Sequence, residues 1–153
     1  MIEWLPLLAG AGSAVAAGFY LAFSAVVMPA LRRRPASEAI AAMVAVNETA
    51  VRPPFMILFF GTAAACGAVA VAGATGPLTQ SPFRAAGAAA YLAGWALTMV
   101  VNVPLNNSLA RDGGAPPGVR WHRFQQPWSR ANHVRAALSI AGAVGLLIPV
   151  SLP

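Results

Sequence analysis

"WLPLLAGAGSAVAAGFYLAFSAVVMPALRRR", residues 4–34, decides the fold: an uncharged run ends abruptly at Arg32, Arg33 and Arg34. A helix crosses the ~30 Å hydrocarbon core of a bilayer with about 20 residues, and Trp4–Met28 is long enough. A secretory signal has a basic start and a shorter apolar middle. Here Glu3 stands at the start and the arginines stand at the end, so the stretch reads as a retained transmembrane helix with a stop-transfer flank.

The rest of the chain agrees. Hydrophobic residues make up 58% and charged residues only 9%, against roughly 25% charged in soluble domains. Mean hydropathy is +0.66. Three further runs are long enough to span: Phe55–Ala74, Ala85–Val103 and Ala131–Leu152. Between the first two spans, "PASEAIAAMVAVNETAVRPP" predicts a short interfacial helix, capped by Ser37, running to about Val51 and stopped by Pro53 and Pro54. The fold class is therefore all-α: an integral membrane four-helix bundle forming a single domain over residues 1–153, with one additional short helix. Small residues at Gly61/Ala65 and Gly142/Gly145 read as helix-packing positions and would also allow a homo-oligomer.

The net charge of +6 invites a nucleic-acid reading, which the distribution excludes. Every cationic side chain apart from the histidines is Arg, and the arginines flank apolar runs instead of forming a stripe interleaved with aromatics. Arg84 apart, they fall in the loop after the first span or in the loop after the third and the start of the last helix. By the positive-inside rule both long loops are cytoplasmic and both termini external, in a multi-pass protein of the cell membrane with lipid around it. Cys66 is the only cysteine, which excludes an intramolecular disulfide.

Polar residues are few, so their spacing carries information. Positions three or four apart share a helix face. Tyr91, Trp95, Thr98, Asn102 and Asn106 form such a stripe on the third span, which Pro104 is expected to bend or end. Trp128, Asn132, Arg135 and Ser139 form one on the fourth, Ser13, Ala17, Tyr20 and Ser24 on the first, and Phe55, Phe59, Thr62 and Cys66 on the second. Polar faces in lipid turn inward, because an unpaired amide or charge in hydrocarbon is costly. The bundle interior is thus expected to be most polar at its cytoplasmic end, where Asn102, Asn106, Asn132 and Arg135 gather. Glu48, beside Asn47 at the end of the short helix, is the one carboxylate expected near them and a partner for Arg135; the alternative for Arg135 is snorkelling to the interface. Trp128 reads equally as an interfacial anchor, and Thr98 as packing.

A metal is the weaker reading. His122 and His133 are eleven residues apart, in no HxH or HxxxH arrangement, with only Glu48 to join them.

Four segments carry a resemblance: "FSAVVMPAL" at 23–31, "MVAVN" at 43–47, "NVPLNNSLA" at 102–110 and W-x-x-x-N-H-V-R at 128–135. Together they resemble the anthrone oxygenase family of small four-span membrane proteins. The resemblance implies oxidation of a flat, apolar aromatic substrate by molecular oxygen, with no prosthetic group; the alanine- and arginine-rich composition looks bacterial. Such chemistry needs a base, donors for an oxyanion and a water-poor pocket. On this chain His133 or Glu48 is the candidate base, and Asn102, Asn106, Asn132 and Arg135 are the candidate donors. Tyr20, Ser24, Asn47, Phe59, Trp95 and Trp128 are the candidate substrate-binding residues. A transporter or lipid-binding protein, a structural or partner-binding protein, and a metal-dependent oxygenase are the alternatives.

Overall fold

The computed structural model describes residues 4–75, 82–111 and 113–148. Five helices and no strand occur among them: α1 (Trp4–Leu31), α2 (Ala36–Ala50), α3 (Phe55–Thr75), α4 (Pro82–Ala110) and α5 (Pro117–Leu147). α1, α3 and α4 are long and apolar enough to cross a membrane. The chain is all-helical, as its composition predicts. Glu3, Asp112, the connection at 76–81 and the end of the last expected span lie outside the described residues.

Three local expectations change. Pro104 neither ends nor breaks its helix, since α4 continues to Ala110. A proline has no N–H and clashes with the carbonyl four residues back. Here a π turn over Thr98–Asn102 precedes it, with the Val103 N–H donating five residues back to the Thr98 carbonyl, so the extra residue absorbs the mismatch. α1 uses the same device before Pro29: a π turn over Phe23–Val27, with the Met28 N–H donating to the Phe23 carbonyl. Second, Pro35 and not Ser37 stands at the start of α2, extended at φ −50° and ψ 140°, with no side-chain cap. Third, α5 begins at Pro117, so the aromatic-rich stretch before residue 131 is helical; Pro117 opens the helix and Pro127 is carried inside it.

α5 packs along both α1 and α4, while α3 closes the bundle against the same two helices. α2 lies across one end, against α5 and the last turns of α4. Two apolar clusters result. One fills the spans, with Tyr20, Cys66, Val69, Tyr91 and Leu146. The other clamps α2 to the bundle end, with Phe23, Met28, Met43, Leu109, Phe124 and Trp128. The α4/α5 seam is glycine-built: a Cβ on Gly145 would stand 2.6 Å from the Phe83 carbonyl oxygen, and one on Gly87 2.9 Å from that of Gly142. Gly61 belongs to no such seam, because it is exposed and a Cβ there would meet nothing within 4 Å.

Candidate functional site

The end of the bundle capped by α2 holds a cavity of about 290 Å³, close to the lower end of the ~300–1,000 Å³ typical of small-molecule pockets. Every helix contributes to it. α1 supplies Phe19, Tyr20 and, one turn on, Phe23; α3 supplies Phe55, Met56, Phe59 and Phe60 from its first turns. α4 presents Thr98, Met99, Val103 and Asn106 from its π turn and the turns beyond, and α5 presents Trp128 and Arg135. α2 closes the end with Val46, Asn47, Ala50 and Val51. The walls are mostly rings: Phe19 lies 4.6 Å from Phe55 and Phe23 lies 5.6 Å from Trp128, centroid to centroid.

The polar content of this pocket centres on Arg135, which is only 5% exposed. Its Nη2 donates to Asn132 Oδ1 at 2.7 Å and its Nη1 to Thr98 Oγ1 at 3.3 Å. The guanidinium also sits over the Tyr20 ring, 4.3 Å from the centroid, and 5.5 Å from the Trp128 ring. Asn132 is fixed in turn, its Nδ2 donating at 2.8 Å to both the Tyr20 carbonyl and Ser24 Oγ. Trp128 Nε1 donates to Asn106 Oδ1 at 2.8 Å. Among the described residues the one ion pair is Arg34 with Glu38, at 4.0 Å on the surface, so Arg135 has no carboxylate partner there. A buried cation held only by neutral acceptors and ring faces has incomplete charge compensation, and Arg135 Nε has no hydrogen-bond partner. Such a site favours an anionic oxygen and sets it beside aromatic walls.

The residues expected to meet here divide into three groups. Tyr20, Asn47, Phe59, Asn106, Trp128 and Arg135 line the pocket. Asn132 and Ser24 stand behind the wall as the support of Arg135, and Asn102 donates to the Trp128 carbonyl at 3.5 Å while its Oδ1 has no partner. Trp95 backs the wall, its ring 5.9 Å from Phe59. His133 and Glu48 are not in the pocket: both are exposed and neither lines it. The reason is one of register. Each directly follows a pocket-facing or network residue, Asn132 or Asn47, and one residue turns the helix by ~100°. Glu48 therefore does not pair with Arg135. The alternative metal set of His122, His133 and Glu48 also fails, because all three are exposed and no group of three potential ligands occurs among the described residues. On one helix, eleven residues hold the two histidines ~16 Å apart.

Several pocket residues carry no polar signal in the sequence. Phe19, Phe23, Met56 and Phe60 look like ordinary lipid-facing or core residues until the helices are assembled. The i, i+4 pairing of Phe19 with Phe23 and of Phe55 with Phe59 is the one hint that aromatic faces oppose each other across the bundle. Thr98, which reads as packing, holds Arg135 and donates to the Gly94 carbonyl at 3.0 Å.

A family model described as anthrone oxygenase matches residues 55–145, which is more than half of the chain and takes in α3, α4 and most of α5. No curated protein and no solved structure matches the chain.

Proposed function

The chain belongs to the anthrone oxygenase family, and on that premise we propose that it is a membrane-embedded oxygenase acting on an anthrone-like or other flat phenolic substrate in the Arg135 pocket. The observation that carries this reading is a buried, carboxylate-free guanidinium facing an aromatic cavity. An anthrone loses a methylene proton to give an aromatic oxyanion, and that electron-rich anion passes an electron to molecular oxygen. Bond formation at the same carbon and loss of water leave a new carbonyl. The substrate gives up two hydrogens and gains one oxygen atom, and the second oxygen leaves in water.

The pocket supports the first step by stabilising the oxyanion. Arg135 is pre-oriented by Asn132 and Thr98, so it needs little reorganisation as charge develops. The phenylalanine walls and Trp128 hold the ring system and keep water from all but its α2 side. No imidazole or carboxylate lines the cavity; the cation makes the substrate itself more acidic, and the proton leaves to solvent at the α2 end, past Asn47 and Asn106. This assigns no proton-accepting role to His133 or Glu48.

The test is anthrone turnover by purified variants. Arg135→Ala is expected to lower kcat by about 10²–10³-fold, the usual cost of losing one oxyanion donor, with Arg135→Lys intermediate. His133→Ala and Glu48→Gln are expected to keep at least half of the wild-type rate. Full activity in folded Arg135→Ala protein, judged by gel filtration and circular dichroism, overturns the reading.

We also propose that α5 is a fourth span, in a cell-membrane protein whose arginine-rich loops are cytoplasmic. Support comes from its packing depth: Leu146 and Leu147 stand against Gly10 of α1, and Gly145 against Phe83 of α4. α5 thus reaches the ends of two membrane-length helices.

A further inference from the structure

A second cavity, an open groove of about 930 Å³, adjoins the first on the outer surface, walled by α1, by α2 with the turn that follows it, and by the start of α3. The two share Phe19, Phe23, Val46, Ala50 and Phe55, so these side chains are one partition seen from two sides. Beyond the partition the groove is walled by Val15, Ala45, Pro53, Pro54 and Leu58, with Thr49 and Arg52 as its polar edge. The Thr49 hydroxyl is engaged, donating to the Ala45 carbonyl at 2.9 Å. Val15 is 60% exposed, on a helix long and apolar enough to lie in hydrocarbon. The α1 side of the groove therefore opens to lipid, and its α2 side carries the polar Thr49 and Arg52.

The partition itself is thin and made of movable parts. Phe19 is partly exposed toward the groove, and its ring meets that of Phe55 at 4.6 Å with a 36° tilt. Ring contact alone joins these two side chains, since a phenylalanine ring offers no conventional hydrogen-bonding group. Aromatic side chains on a surface change rotamer within nanoseconds.

From this continuity we propose that the substrate of the Arg135 pocket is a membrane-dissolved aromatic that arrives sideways from the hydrocarbon, through the α1/α3 groove and between Phe19 and Phe55. The inference rests on the pocket reading above but concerns the route, and the route has its own signature. A constriction outside a binding site slows arrival and departure equally and leaves the equilibrium constant alone, whereas a change in the site alters the equilibrium.

The experiment uses the full chain in lipid nanodiscs, with Trp4, Trp95 and Trp121 replaced by Phe so that Trp128 reports on the pocket. The probe is 1,8-dihydroxyanthraquinone, dissolved in the bilayer and followed by stopped-flow quenching of Trp128. Val15 and Leu58 line the groove and not the pocket. Val15→Phe with Leu58→Phe is expected to lower kon and koff together, by tenfold or more, with Kd within twofold of the parent. Val15→Ala with Leu58→Ala is expected to raise both rates. Rates unchanged in both pairs, or a Kd that moves because only one of the two rates changes, overturn the lateral route. No quenching in the parent protein overturns the pocket reading along with it.

Discussion

Arg135 is the residue on which the polar interior turns, and its support runs outward in two steps. Asn132 accepts from the guanidinium through Oδ1 and uses both Nδ2 protons on α1, at the Tyr20 carbonyl and Ser24. Removing the first link strands a buried charge, while removing the last strands only a neutral amide proton. A hydrogen bond to a charged group contributes about 1.5–3 kcal/mol and a neutral one about 1; a chain of this size loses roughly 2–4 °C of Tm per kcal/mol. Asn132→Ala is therefore expected to lower Tm in detergent by several degrees, and Ser24→Ala by no more than about half as much. Equal shifts in differential scanning fluorimetry would show that the charge on Arg135 does not govern the network.

At the scale of elements, spacing in the sequence is enough to orient the four long helices. Tyr20, Thr62, Cys66, Thr98, Asn102, Asn132 and Arg135 are all buried, with Ser24, Phe55, Trp95 and Asn106 of the same stripes half-buried, because lipid enforces the inward turn of polar groups as strictly as water enforces the inward turn of apolar ones. Spacing does not reveal which inward residues touch the cavity and which stand behind it, since that depends on how closely neighbouring helices approach. Asn102 and Asn106 share a stripe, yet only Asn106 reaches the wall. Nor does it reveal that Pro29 and Pro104 follow π turns, because proline reads locally as a stop and the wide turn is a property of the whole helix. Close approach is also where small residues divide. Gly61 and Gly145 look alike in sequence, but Gly145 faces the backbone of α4 and Gly61 faces nothing. Gly145→Ala is expected to destabilise by about 1–3 kcal/mol, the usual cost of overpacking against atoms that cannot yield. Gly61→Ala is expected to be neutral or slightly stabilising, as on any exposed helix face. Chemical denaturation in mixed micelles separates them, and an equal loss in both variants would remove close packing as the reason for the glycine at 145.

For the whole molecule, charge and packing depth lead to one arrangement by independent routes. Nine of the ten arginines, all but Arg84, lie in or beside the two long loops, and these meet at the pocket end of the bundle, where Arg32 donates to Ser129 Oγ at 3.0 Å and Arg120 to the Leu109 carbonyl at 2.7 Å. The far ends of α1, α4 and α5 meet at the other face, around Gly10, Phe83 and Gly145. If α5 crosses with the others, one face holds α2 and the arginine-rich loops while the opposite face holds the end of α3 and the start of α4. Single cysteines distinguish the faces in a Cys66→Ala background, since Cys66 is buried. With a membrane-impermeant maleimide on intact cells, Thr75→Cys is expected to label, and so is a cysteine appended after Pro153. Ser37→Cys and Gly113→Cys are expected to label only after lysis, and all of these substituted side chains are exposed. The opposite pattern would invert the protein. Labelling at Thr75 but not at the appended cysteine would leave α5 on the cytoplasmic side as a surface-bound helix, and Arg135 would then no longer sit inside a transmembrane bundle.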